Sequence, residues 1–418
     1  MEVLYPRCAG LDVHKDTVVA AVRLIEGDGT VRREVETFAT TTPGLLALSD
    51  WLEQHDCPCV AMEATGIYWR PVWQVLAAEG PGEGRALILA NAAHVKNVPG
   101  RKTDVADAVW LSDLLAHGLI RPSFVPDAGT RAMRDLLRTR KQLVREQASH
   151  VQRIQKTLED ANLKLASVLT DIMGQSGRAV LAALVDGEAD PERLRALVGS
   201  RVKASPEAIR AALTGRPGAH HRFLLGLHLG QIDALAAAIA AIDAEVDRDL
   251  GPFREAVGLL VTIPGVGNLT AEVILSEIGL DMSRFPTAGH LISWAGLCPR
   301  QDESAGKRRS NRLKKGAPWL KAALVQAAWA AVRKKRGYLQ AQFQRLRARR
   351  GARKAICAVA ASILTAVYHM LNDGTAYADL GSDHFRKTDP ISRAKLLVRQ
   401  IERLGFACSI SAAPPVSI

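Results

Sequence analysis

The sequence predicts a mixed α/β domain at the N-terminus joined to an all-α region. Three observations lead there. Up to about Asp127, short β-branched runs alternate with helical periodicity. Beyond Thr130 the period is helical almost throughout. The positive charge is gathered late: residues 300–354 hold 18 Lys or Arg against Asp302 and Glu303, while the whole 418-residue chain carries +12, so the rest is net acidic.

The elements follow in order. "RCAGLDV" (7–13) and "TVVAAVRLI" (17–25) read as strands, "EGDG" (26–29) as a hairpin turn and "REVETFAT" (33–40) as a third strand. "TPGLLALSDWLEQH" (42–55) reads as a helix with Thr42 as cap and Pro43 at the first helical position. Next come a buried strand "PCVAMEA" (58–64), a helix "YWRPVWQVLAAEG" (68–80), a strand "RALILA" (85–90) and a helix over "RKTDVADAVWLSDLL" (101–115). A meander followed by β–α units predicts a mixed sheet covered by helices.

From Thr130 to about Ala166, Leu137, Val144, Val151 and Leu158 recur every seven residues, with Met133 and Ile154 on the alternate positions, a second row that Arg140 and Gln147 interrupt. This is a long helix with an imperfect heptad seam, either a coiled-coil dimerisation arm or one helix of a bundle. Residues 168–251 are helical, with loops near "GQSG" and "TGRPGAHH". "IPGVG" (263–267) leading into an apolar helix resembles a helix-hairpin-helix turn, in which Gly265 and Gly267 would bring backbone N–H groups to DNA phosphates. The domains expected are 1–127, 128–255, 256–375 and a tail, 376–418.

A pI of 9.6 points to nucleic acid or another anionic partner. The phosphate-binding candidates are Arg300, Lys307, Arg308, Arg309, Arg312, Lys314, Lys315, Arg333, Lys334, Lys335 and Arg336, with Trp319, Trp329, Tyr338 and Phe343 interspersed. The six cysteines form no CxxC or Cys/His zinc pattern and read as small buried hydrophobes. No signal-peptide core or membrane span is apparent, which predicts a cytoplasmic protein.

Acids carry the chemistry. Asp12 and Glu63 each end an apolar strand, where a carboxylate is costly unless something balances it. Asp104 and Asp107 sit three apart on one helical face. A first-turn acid is also favoured by the helix dipole alone, but the ordered set Asp, Glu, Asp, Asp on strand, strand and helix is the RNase H-like metal-nuclease arrangement. It would hold Mg²⁺, with Mn²⁺ as the alternative. His14 and Asp16 read as a solvated loop, Asp113 as a surface acid, and Tyr68 and Trp69 as packing residues.

"GLDVHKD", "MEATGIYW", "RKTDVADA", "IPGVGNLTAEVILSEIG", "RFPTAGHLISWAGLCPRQDESAGKRRS" and "LKKGAPWLKAAL" together resemble the DEDD insertion-sequence transposases of the IS110 family, relatives of the Piv DNA invertase. The resemblance spans nearly the whole chain. It implies a RuvC-like N-terminal domain whose Mg²⁺ site is Asp12, Glu63, Asp104 and Asp107, then a coiled-coil region and a C-terminal transposase domain with a serine nucleophile. By motif position that serine is Ser304 of "ESAGK", expected in a loop between Gly296 and Gly306, where Ala305-Gly306 stands in place of the usual Gly-Gly; Ser310 competes. It also implies donor and target DNA, a structured noncoding bridge RNA as guide, and a homodimer assembling to a homotetramer, with the acids and Ser304 forming a composite site. Two other functions fit the same residues: a RuvC-like junction nuclease that uses water, and a non-enzymatic nucleic-acid binder.

Overall fold

The computed structural model describes residues 3–64, 66–78, 85–91, 95, 106–299, 302–310, 312–313, 315–385 and 390–409. The chain divides into two compact units, Met1–Val125 and Pro126–Ile418.

In the first unit, β1 (Arg7–Val13), β2 (Thr17–Ile25), β3 (Val31–Ala39), β4 (Cys59–Glu63) and β5 (Ala86–Ala90) form one sheet in the order β3-β2-β1-β4-β5. β1, β2 and β3 make an antiparallel meander. β4 lies parallel to β1, with Leu11 opposite Met62, and β5 lies parallel to β4. β3 is exposed at seven of its nine positions, and its charged sequence "VRREVETFA" suits a sheet edge that must not recruit another strand.

Alternation along β1 and β4 decides which residues face which helices. Ala9, Leu11, Val13, Val60 and Met62 join a core with Leu45, Leu48 and Leu52 of α1 (Thr42–Gln54) and Val72 and Leu76 of α2 (Trp69–Ala78). Cys8, Cys59 and Ala61 face the other way, onto Leu111, Leu114 and Leu115 of α3 (Ala106–Ala116). α1 is capped at Thr41, one residue before the cap expected, with the proline inside its first two positions.

Gly10 marks a close approach between sheet and helix. A Cβ built there would lie 2.2 Å from the Ala108 carbonyl oxygen and 2.5 Å from the Ser112 nitrogen. α3 therefore seats backbone to backbone on β1.

Asp113 is not the surface acid expected. Its Oδ1 accepts from Arg23 Nε at 3.0 Å and from Arg33 Nη2 at 2.9 Å, and Arg23 is only 5% exposed. Strand periodicity hid this partner, because Arg23 sits within an apolar β2. Asp113→Ala leaves a buried guanidinium uncompensated, and thermal or urea denaturation should show a loss of about 2 kcal/mol.

The second unit is helical: α4 (Ala128–Asp160), α5 (Leu165–Val168), α6 (Gln175–Val185), α7 (Pro191–Ala196), α8 (Pro206–Leu213), α9 (Ala219–Asp249), α10 (Arg254–Leu260), α11 (Asn268–Ile278), α12 (Ala288–Trp294), α13 (Pro318–Ala331), α14 (Tyr338–Arg350), α15 (Ala352–Asp373) and α16 (Pro390–Arg403). A short hairpin, β6 (Asp302–Ser304) and β7 (Lys307–Ser310), interrupts it.

The heptad seam of α4 is covered from within the chain. Ile154 and Leu158 pack in one core with Leu225 and Ile232 of α9. The two residues that interrupt the heptad both bind α9: Arg140 Nε donates to Asp243 at 2.5 Å, and Gln147 Nε2 donates to the Ile232 carbonyl at 3.3 Å. The pairing runs antiparallel, since 140 meets 243 while 147 meets 232.

α9 and α15 are each long and apolar enough to cross a membrane, which the short apolar runs of the sequence did not suggest. α15 buries Ile356, Val359, Ile363, Leu364 and Val367, as a core helix does. α9 lies along α4 but buries only 11% of its apolar window.

Candidate functional site

The acids stand at the C-terminal ends of the two central parallel strands. Asp12 is the penultimate residue of β1 and Glu63 the last of β4, each one position beyond the paired Leu11 and Met62. By alternation both belong to the face that α3 covers. As β1 runs from Cys8 to Gly10, its neighbour on α3 shifts from Ser112 toward Ala108. α3 thus presents its N-terminal end where β1 ends, and Asp107 is in its first turn. Asp104 lies outside the described residues.

The side chain of Asp12 is 15% exposed, and His14 Nε2 sits 3.2 Å from its Oδ2. His14, read from sequence as a loop residue, is therefore a direct neighbour of the site. Glu63 is 8% exposed and makes no ion pair or side-chain hydrogen bond among the described residues. Asp107 is half-buried. A buried carboxylate so poorly compensated suits a cation that binds through oxygen, and every donor here is a carboxylate, the ligand type hard divalent ions take. At the rim, Ile67 and Tyr68 are exposed, whereas Trp69 packs edge-on against Trp73 at 5.9 Å. Packing was expected of both aromatics; only Trp69 packs.

Ser304 was expected in a loop between Gly296 and Gly306. Its backbone instead ends strand β6 and pairs with Lys307, with Ala305 and Gly306 forming the tip. Both tip residues have positive φ, 49° and 73°, as a two-residue hairpin turn matched to strand twist requires. The polar hairpin sequence concealed the strands, but the small-Gly pair was a legible turn signal. Ser310 Oγ accepts from the Arg312 N–H at 3.2 Å. The Pro299–Leu313 bridge closes the stem, and these two residues line a cavity of about 490 Å³ with Arg350, Arg353 and Lys354. Those three cations were not singled out in the sequence; only their density was visible.

The other candidates divide. Arg300 and Lys314 lie outside the described residues, and Arg308 and Arg309 are placed only as members of β7. Lys307, Arg312 and Lys315 are exposed, as are Arg333, Lys334, Lys335 and Arg336. Lys334 Nζ is already paired with Asp379 at 3.4 Å. Gly265 has a packing explanation: its φ is +84°, and a Cβ would lie 2.4 Å from the Ala327 carbonyl of α13. Gly267, which caps α11, has open space around it.

Asp160, His220 and His221 also place potential ligand atoms within 4.8 Å of one another. Yet His221 Nδ1 accepts from the Gly218 N–H at 3.0 Å, and Nε2 faces Asp160 at 2.9 Å. Both ring nitrogens are in use, so the trio caps α9. The cysteines are free; burial pushes the Cys8 thiol up to about 12, and the Cys57 and Cys59 thiols to about 11.

Two family models match the sequence. Residues 9–163 match a DEDD transposase model of IS110 type, and residues 257–344 match the "Transposase IS116/IS110/IS902 family". The "Insertion element IS110 uncharacterized 43.6 kDa protein" of Streptomyces coelicolor is 32% identical over 160 residues, 35% of this chain and 38% of its own length. The "Insertion element IS900 uncharacterized 42 kDa protein" of Mycobacterium paratuberculosis is 26% identical over 262 residues, 55% of this chain and 64% of its own. The chain thus spans less than two thirds of each relative.

Proposed function

The chain belongs to the IS110 family of insertion-element transposases, and from that premise we propose that it cuts and rejoins DNA strands with a divalent-metal carboxylate site and a serine nucleophile. The observation that carries the proposal is Asp12 and Glu63 at the ends of adjacent parallel strands, under the helix end that bears Asp107. Asp104, three residues earlier, would complete an RNase H-like quartet.

Held by these carboxylates, Mg²⁺ or Mn²⁺ would neutralise the scissile phosphate and favour attack at phosphorus. The protein supplies the rest. His14, whose Nε2 lies 3.2 Å from Asp12 Oδ2, would orient that carboxylate. Ser304, at the mouth of a tight turn, would attack the phosphorus, expel one deoxyribose oxygen and leave a phosphoserine ester. Attack by another strand's hydroxyl would reverse the step and rejoin DNA. Arg350, Arg353 and Lys354, beneath the hairpin, would balance phosphate charge. A bridge RNA guiding donor and target DNA, and a dimer pairing into a tetramer so that two DNA sites are held at once, extend the same proposal and rest on the family resemblance.

The test uses end-labelled DNA with the protein and Mn²⁺. A covalent protein–DNA adduct should form, and Ser304→Ala should lose it while Ser310→Ala keeps it. Cleavage without an adduct would remove the serine from the mechanism in favour of water.

Backbone contacts should dominate affinity. Neutralising Arg333, Lys335 and Arg336 should flatten the slope of log affinity against log salt by about two to three, because each lost phosphate contact removes about 0.9. Lys334 should contribute less, its charge being shared with Asp379. An unchanged slope would make the cluster a solvated turn.

A further inference from the structure

We infer that the cleft between α4, α11 and α13, walled on one side by Trp319, receives one unstacked nucleotide of a single-stranded nucleic acid. Trp319 lies in the first turn of α13 and is half-buried. The guanidinium of Arg145 lies 5.0 Å from its ring centroid, and that of Arg138 lies 5.7 Å away. Leu137, Leu269 and Val273 supply apolar walls.

What the cations are already doing separates structure from binding. Arg138 donates twice to Glu277, at 2.8 Å each, and Glu277 is only 2% exposed. Arg140 is held by Asp243. These two fasten α4 to α11 and α9. Lys141 and Arg145 line the same cleft, and neither has a carboxylate at ion-pair distance among the described residues.

An apolar slot, an indole face and two cations without a carboxylate partner among the described residues match a flat aromatic ring joined to an anion. A nucleotide has both. Its base would stack on Trp319 and its phosphate would sit against Lys141 and Arg145. Arg145, now over the indole, occupies the place of a base and would release its guanidinium to the phosphate. A duplex keeps its bases stacked and offers nothing to the slot.

This inference rests on the proposed function only in that the chain handles nucleic acid, and it is tested by binding, not by strand cleavage. Fluorescence anisotropy on the full chain would compare oligothymidylate, oligouridylate and a duplex of equal length. Trp319→Ala should weaken single-strand binding roughly tenfold and leave the duplex unchanged, as loss of one stacked base predicts. Trp319→Phe should restore most of it. Lys141→Gln with Arg145→Gln should flatten the single-strand salt slope by about 1.4. Preference for oligouridylate would assign the nucleotide to RNA, and preference for oligothymidylate to DNA. Unchanged single-strand affinity in Trp319→Ala, or an equal loss on the duplex, would overturn the assignment. Should Trp319→Ala fail to fold, photocrosslinking of a 5-iodouridine oligonucleotide to the unmodified protein decides: an adduct on the Trp319 peptide upholds the slot, and adducts only elsewhere refute it. Asp12→Ala should retain this binding while losing strand cleavage, so the two readings fail separately.

Discussion

Glu63→Gln is expected to abolish metal-dependent strand cleavage, by on the order of a thousandfold or more, with no loss of stability. The substitution is nearly isosteric and removes one charge. Glu63 is buried at the end of a strand and forms no ion pair among the described residues. Asp12, near the end of the adjacent strand, and Asp107, in the first turn of α3, are also carboxylates, and on the proposed reading their charges oppose that of Glu63 until a cation binds. Removing one should leave the metal-free melting temperature unchanged or slightly higher, while a ligand to the ion is lost. Melting curves and cleavage of labelled DNA check both halves. Strong destabilisation would make Glu63 a structural residue instead.

Gly10→Ala should damage the same site without touching an acid. The added Cβ meets backbone atoms of α3 at 2.2 and 2.5 Å and the Leu111 Cβ at 2.8 Å, and none of these is a flexible side-chain tip. The helix must move outward by about an ångström, loosening Leu111, Leu114 and Leu115. A cost of about 3 kcal/mol follows from such overpacking. Asp107 rides on the displaced helix, and a shift of that size in a positioned ligand costs about a hundredfold in rate. Denaturant titration and strand cleavage measure the two effects separately. A stable, fully active Gly10→Ala protein would show that α3 does not set the position of the cluster.

Much of the first unit was legible because the inner strands of its sheet are buried on both faces. Apolar runs bounded by turns marked β1, β2 and β4, and acids at the ends of such runs stand out, as Asp12 and Glu63 do. Pairings across the fold were not legible. The Arg23–Asp113 bond joins β2 to α3, and no local spacing announces it. The seven-residue repeat of α4 told that one face is covered but not by what; the cover is α9 of the same chain. Gly265 has the local sequence of a phosphate-approaching turn, yet the near contact is with α13, a distance along the chain that no motif records. The β6–β7 hairpin was missed because five of its seven strand positions are charged, leaving no apolar alternation to read.

The central claim is that Asp12, Glu63 and Asp107, with Asp104, hold a divalent cation. Calorimetric titration of Mn²⁺ into the metal-free protein tests it most directly. The unmodified chain should bind Mn²⁺ with a saturable heat that Mg²⁺ competes away, and Asp12→Asn and Glu63→Gln should each lose that heat while keeping their melting temperatures. Identical titrations for the unmodified chain and both variants would contradict it.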